Sequence, residues 1–272
     1  MNVKKEGPNI EKLTSLMERL RGPDGCPWDR EQTLASLVPF IIEEAYEVVA
    51  AIDSKDMEAI KDELGDLLFQ IIFASRIAGE EGSFDLKGVI DASVEKMVRR
   101  HPHVFGDQKA DTSQEVLRHW AEIKKAEKRG RGEGQGILSG IPEVLPALLR
   151  AHKVSKKAAR IGFDWQDVQE VFVKVDEELE EFKQEVLRKN AAGMEEEFGD
   201  LLFSLVNVSR FIEVNPEDAL RKTISKFISR FSHIEKKLAE NGEEISSASM
   251  EDMDRLWKEA KALEKKRGKP GL

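Results

Sequence analysis

A single cysteine, Cys26, stands in the 272-residue sequence, so no intrachain disulfide can form and a reducing compartment is the natural home. Its setting, Gly25-Cys26-Pro27-Trp28, reads as a packed turn rather than as the surroundings of a nucleophile. Tyrosine is equally scarce, one residue against thirteen Phe, and Val and Ile recur mostly at helical spacing, which gives little support to a β-rich fold. Long apolar runs are missing. Nothing approaches the ~18 consecutive apolar residues of a membrane span, and the opening MNVKKEGPNIEKL has no apolar core of the signal-peptide kind. A cytoplasmic protein without membrane association is expected. A basic excess is missing too: 43 Lys and Arg against 52 Asp and Glu leave a formal net charge of −9. That excludes general nucleic-acid binding, because neutralising a phosphate backbone needs a basic face. A local basic patch that grips one nucleotide stays open.

What the chain does have is charge, 35% of its residues, beside 40% hydrophobic ones. That balance suits helical layers in which much of each helix faces water. It also has internal repetition. IIEEAYEVVAAID at 41–53 precedes KDELGDLLFQIIFASR at 61–76, and VDEELEEFKQEV at 175–186 precedes EEEFGDLLFSLVNVSR at 195–210. Glu43 and Glu177, Glu63 and Glu197, and Asp66 and Asp200 are all separated by 134 residues. Trp28 and Trp165 lie 137 apart; SVEKMVRRHPHV at 93–104 matches TISKFISRFSHI at an offset of 130; LRHWAEIKKAEK at 117–128 matches DRLWKEAKALEK at an offset of 137. The chain therefore reads as a duplicated module of about 130 residues. Between the copies, alternating glycines in RGRGEGQGILSGIP cannot hold a helix. The expected organisation is an N-terminal domain at 1–129, a Gly-rich linker at 130–142 and a C-terminal domain at 143–272.

Each copy reads as helices joined by short turns. In the first, Ile10, Leu13, Leu16, Met17 and Leu20 form one apolar stripe, ended by Gly22-Pro23-Asp24-Gly25. A second helix is expected from Glu31 to Ala51, a turn at Asp53–Asp56, and a third helix from Met57 to about Ala78, ended by Gly79 and Gly82. Shorter helices follow near 86–100 and 113–129, with His101 and His103 flanking Pro102 in a structural turn. The result is an all-α unit of four or five helices with antiparallel connections.

The acids are the chemistry-bearing feature. Residues three or four apart share a helix face, so Glu44 with Glu47, and Glu63 with Asp66, project as pairs from consecutive helices. The short turn between those helices lets the pairs face one another. Four converging carboxylates repel unless a cation joins them, and oxygen donors select Mg²⁺, with Mn²⁺ as a substitute. The second copy repeats the set as Glu178, Glu181, Glu197 and Asp200. The alternative is a solvated charged face. Two details favour the metal: Gly65 and Gly199 sit mid-helix, where glycine implies close approach, and Leu67-Leu68-Phe69 and Leu201-Leu202-Phe203 follow at once, which places the acids at the edge of a buried region. A di-iron bundle would add His at Glu-x-x-His spacing, and neither acidic segment carries one.

The EExxE segment, the ExxD segment some sixteen residues on, GCPWDxxQTxxSL at 25–37 and HPHVFGD at 101–107 together resemble the MazG family of nucleoside triphosphate pyrophosphohydrolases. The resemblance covers nearly the whole chain, duplication included. It implies an all-α pyrophosphatase fold, Mg²⁺ dependence, a homodimer whose helices pack into four-helix cores, and release of pyrophosphate from normal or damaged nucleoside triphosphates. It implies a link to nutritional-stress signalling as well, with a regulatory GTPase or a toxin–antitoxin-linked protein as partner. The family's metal ligands carry over onto Glu44, Glu47, Glu63, Asp66, Glu178, Glu181, Glu197 and Asp200.

Glu43, Glu177 and Glu196 are placed to orient an attacking water or a ligand, in a catalytic or a supporting part. Acids that hold metal need cations for the phosphates opposite. Lys96 with Arg100, and Lys226 with Arg230, are i,i+4 pairs on the helix after the acidic pair, and Arg can clasp phosphate oxygens bidentately. Trp120 with Lys124, and Trp257 with Lys261, set an aromatic that can stack a base beside a cation, or else serve the core. Lys174 resembles a family phosphate contact, and its first-copy counterpart is Phe40. The fuller phosphate set marks the second copy as the expected principal active site. A non-catalytic helical regulator that binds nucleotides or a GTPase through the same grooves is the rival reading.

Overall fold

The structure, a computed structural model, describes residues 10–130 and 136–267; the N-terminal segment and the Gly-rich start of the expected linker lie outside them. Among the described residues the chain is helical, with no strand. It divides into two compact units at 129/130, and no described helix is long and apolar enough to cross a membrane.

The first unit contains α1 (Ile10–Leu20), α2 (Pro27–Glu31), α3 (Leu34–Ser54), α4 (Met57–Glu80), α5 (Leu86–Arg100), α6 (Pro102–Phe105) and α7 (Ser113–Gly130). The helix expected from Glu31 is two elements. Pro27 opens the short α2, and Thr33 then caps α3 in a reciprocal box with Ser36. Ahead of α2, Gly25 is required: a Cβ there would sit 2.0 Å from the Leu20 carbonyl oxygen. Cys26 donates its amide to that same carbonyl, so the Gly-Cys-Pro-Trp segment is a tight backbone turn. Gly79 does not stop α4 but lies inside it; Gly82, at φ +73°, makes the turn beyond. The His101–His103 segment is not a simple turn either, because Pro102 nucleates the short α6 and puts His103 within it.

The connection between α3 and α4 is made by Lys55 in the left-handed region, φ 60°, and by Asp56, whose carboxylate accepts from the amides of Glu58 and Ala59. With no room for a longer loop, the two helices run back antiparallel against each other. The core of the unit is Met17, Leu37, Ile72, Phe73 and Ile77, surrounded by Leu13, Phe40, Ile41, Phe69 and Leu86. Arg21 seals its edge: the guanidinium lies over the Phe73 ring and pairs with Glu80.

The second unit contains α8 (Ala147–Ala159), α9 (Val168–Arg188), α10 (Ala191–Phe211), α11 (Pro216–Glu240) and α12 (Met250–Arg267). The α9–α10 turn is again made by a lysine in the left-handed region, Lys189 at φ 54°, 134 residues after Lys55. Helices α9 and α10 pack as α3 and α4 do. The core differs. Asn207 stands where the first copy has Phe73 and accepts from Ser155, whose hydroxyl accepts from Arg210, and Arg210 pairs with Asp164. These groups satisfy one another, so burying them costs little. Ile234, Leu238 and Leu256 form a separate apolar cluster between α11 and α12.

Candidate metal and nucleotide site

In the first unit, α3 contributes Glu43, Glu44 and Glu47, and α4 contributes Glu63 and Asp66. Carboxylate oxygens of Glu44, Glu63 and Asp66 lie within 4.8 Å of one another. Glu47 stands outside that tight set, but its charge acts on both Glu44 and Glu63. Partial desolvation first, then the neighbouring carboxylates, push the Glu44 and Glu63 carboxyls above the usual range. Gln70, one turn beyond Asp66, donates its amide to Glu44 at 3.5 Å, while its own carbonyl oxygen is buried without a partner among the described residues. Glu43 is exposed beside the cluster.

The second unit repeats this on α9 and α10. Oxygens of Glu178, Glu197 and Asp200 come within 4.8 Å of one another. Desolvation, and then Glu181 and Glu178, raise the Glu197 carboxyl. Glu181 flanks the set as Glu47 does, and Glu177 and Glu196 are exposed at its rim. Glu178 is buried, and Lys174 lies 2.6 Å from its Oε1 and 2.8 Å from Glu177 Oε1. Hydrogen bonds that Lys174 donates to Glu177 and Glu178 raise its ammonium above the usual lysine range. Each cluster gathers carboxylate oxygens close enough together to hold a metal ion.

Neither cluster is enclosed by its own unit. Asp66 and Asp200 are exposed, and so are Leu68, Leu202 and Phe203, which corrects the buried setting expected from the apolar residues that follow each ExxD. The Gly65 and Gly199 expectation changes likewise: a Cβ at either would meet nothing within 4 Å. The apolar residues turn outward instead. Leu64, Leu68 and Ile71 make a stripe along α4, and Phe198, Leu202 and Leu205 make the matching stripe along α10, each residue at least 36% exposed. Period-3.6 patterning marks an apolar face but not what covers it.

The basic residues divide. Lys96 and Lys226 have no ion-pair partner among the described residues. Arg100 on α5 pairs with Glu127 on α7 at 2.6 Å, both side chains largely buried, and Arg99 joins the same carboxylate. Those two guanidinium groups hold the Glu127 carboxyl down at about 2. In the second unit Arg230 pairs with Glu264 on α12 at 2.7 Å and lies over the Trp257 ring. Trp257 itself packs on Phe227 and the Ile234–Leu238–Leu256 cluster, and Lys261 is exposed one turn further along α12. Lys124 lies over the Trp120 ring, whose Nε1 is buried without a partner among the described residues. Sequence reasoning missed Glu127, Glu264 and Gln70. The first two were visible as a matched pair inside LRHWAEIKKAEK and DRLWKEAKALEK; Gln70 had no repeat to betray it, because Ser204 takes its place.

A family model described as the MazG nucleotide pyrophosphohydrolase domain matches residues 32–105 and 166–235. Each matched segment holds one acidic cluster and the basic pair of the following helix. The chain is 44% identical over 259 residues to the nucleoside triphosphate pyrophosphohydrolase/pyrophosphatase MazG of Thermotoga maritima, covering 95% of this chain and 98% of that protein. It is 43% identical over 258 residues to the nucleoside triphosphate pyrophosphohydrolase of Escherichia coli, covering 94% and 98%. Among solved structures, a mazG-related protein from Thermotoga maritima matches at 30% identity and a TM-score of 0.38, over 43% of this chain and 99% of that one.

Proposed function

The chain belongs to the MazG nucleotide pyrophosphohydrolase family, and from that premise we propose that Mg²⁺ is the ion its two acidic clusters hold while it hydrolyses nucleoside triphosphates to monophosphates and pyrophosphate. It is a nucleoside triphosphate pyrophosphohydrolase of a metal-dependent type. The observation that carries the finer reading is the pair of oxygen-only clusters, Glu44–Glu63–Asp66 and Glu178–Glu197–Asp200, on equivalent helix pairs. Glu47 and Glu181 complete the ligand sets from the flank. An ion held there would supply positive charge against the triphosphate and lower the pKa of an attacking water.

The chain's own residues do the rest. Glu177 and Glu196 at the second cluster, and Glu43 at the first, orient the water that attacks the α-phosphorus. The bond from that phosphorus to the oxygen bridging the β-phosphate breaks, and pyrophosphate leaves. Lys174, Lys226 and Arg230, with Lys96 and Arg100 in the first copy, supply positive charge to the phosphates. Trp257 with Lys261, and Trp120 with Lys124, supply a stacking surface and a cation for the nucleoside. The second copy carries the main turnover, because only it adds Lys174 to that set.

The domains are read as 1–129 and 143–272 about a linker at 130–142. Each presents an outward apolar stripe, and in a homodimer those stripes cover one another, with Gly65 and Gly199 leaving room for the partner helix. A cytoplasmic role in nucleotide-pool control follows from the same reading. The test is product analysis with Mg²⁺ and a panel of the eight normal triphosphates, dITP and 8-oxo-dGTP. Monophosphate with pyrophosphate is expected; diphosphate with orthophosphate would sink the assignment.

A further inference from the structure

Resting on the reading of both clusters as cation sites, we propose that the two copies load a divalent cation differently: the first takes it unaided, whereas in the second Lys174 occupies the coordinating carboxylate and competes with it. In the second copy the ammonium Nζ lies 2.6 Å from Glu178 Oε1, and that side chain is only 6% exposed. Glu178, one of the three acids of the Glu178–Glu197–Asp200 triad, is thus already paired with a tethered cation. In the first copy the equivalent position is Phe40. Its ring packs into the core around Met17, Leu37 and Phe73 and meets Trp28 edge-on at 5.7 Å. No charge can come from there. Glu44 instead receives the neutral amide of Gln70, which orients the carboxylate and leaves its full negative charge. Ser204, the second-copy equivalent of Gln70, is buried.

The attraction of a cluster for a dication follows its uncompensated charge at a few ångströms. An ammonium in contact removes one unit of that charge; a neutral amide hydrogen-bonded to the carboxylate does not. The first cluster is therefore a standing cation site. The second becomes one when an anion offers Lys174 another partner, as a triphosphate does, so that its cation and its substrate arrive together. Such coupling spares the catalytic copy a bound ion with no substrate to act on.

The probe is Mn²⁺ alone, without nucleotide, titrated into the full-length protein while free Mn²⁺ is followed by EPR. Wild type is compared with Glu63→Gln, Glu197→Gln, Lys174→Gln and Lys174→Met, each checked by circular dichroism. A tighter class of sites is expected that is lost in Glu63→Gln and kept in Glu197→Gln. The weaker class binds about tenfold less well and tightens by a similar factor in both Lys174 variants, the Met variant separating charge from hydrogen bonding. Equal affinities in wild type, loss of the tighter class in Glu197→Gln, or no response to either Lys174 substitution overturns the proposal and leaves the cation sites standing. Absence of Mn²⁺ binding at both clusters overturns the proposal together with the metal reading.

Discussion

Where the first copy sets Phe40 against Trp28, the second sets Lys174 against Glu177 and Glu178; where the first has Gln70 beside Glu44, the second has Ser204. The three carboxylates of each cluster keep their spacing through both exchanges. So do the turn lysines, Lys55 and Lys189, and the interhelical pairs Arg100–Glu127 and Arg230–Glu264. Duplication has thus preserved the converging carboxylates and varied the groups that set the charge around them. The cores vary with the same freedom: an apolar Phe73 under a cationic Arg21 in one copy, a hydrogen-bonded Ser155–Asn207–Arg210 network in the other. A helical hairpin needs only that its buried face be filled or satisfied, and both solutions do that.

The comparison can be broken at the ligands. Glu178→Ala is expected to lower kcat by on the order of a hundredfold, while Glu44→Ala leaves most of the turnover. Equal losses from the two substitutions would make the copies equal partners and remove the special place given to Lys174.

Cation binding should also have a pH signature. Glu44, Glu63 and Glu197 have carboxyl pKa values raised in the cation-free protein. The folded chain therefore holds protons that the unfolded chain has released, and its cation-free stability falls as pH rises from the ordinary carboxylate range through those raised values. The cation binds the deprotonated carboxylates, so the Mg²⁺-dependent increase in Tm should be small at about pH 5 and larger at about pH 8. Thermal melts with and without Mg²⁺ measure it, and an increase that ignored pH would detach these acids from the ion.

The smallest effect expected is at the turns. Lys55 and Lys189 both sit in the left-handed region, which costs a residue bearing a Cβ and not glycine. Lys55→Gly and Lys189→Gly should each stabilise their unit, by up to about 1 kcal/mol in denaturant unfolding. A gain in one copy only would show that the two hairpins differ in their turns as well as in their charges.

Much of this was legible in the residues alone. The helices carrying the acids and the antiparallel return between them follow from i,i+3 spacing and a short turn; of the four acids expected to converge, Glu44, Glu63 and Asp66 do so and Glu47 stands outside. The offset of 134 residues then transfers the arrangement to Glu178, Glu197 and Asp200. Local chemistry of the same kind escaped where it was subtle. The Thr33–Ser36 box starts α3 three residues later than its acidic neighbour Glu31 implied, and Gly79 is carried inside α4. Arg100 and Arg230 read as phosphate-clasping cations, and the carboxylates that each meets on another helix went unread. No spacing rule reports a contact across 27 or 34 residues.

By itself, then, the sequence determined that the chain is two copies of a helical module, that each copy gathers carboxylates on one hairpin, and that the basic residues near those carboxylates differ between copies, Lys174 standing where the first copy has Phe40. Those are properties of periodicity and repetition, and they survive any packing that keeps the hairpin. Only the tertiary structure decided which donors touch which acids: Lys174 on Glu178, the Gln70 amide on Glu44, Arg100 on Glu127 and Arg230 on Glu264. It also decided that the stripes beginning at Leu64 and Phe198 face outward rather than into their own unit. Ion pairing and burial depend on distance in space, and a chain that places its helices by turns and core contacts leaves that distance unwritten in any one segment.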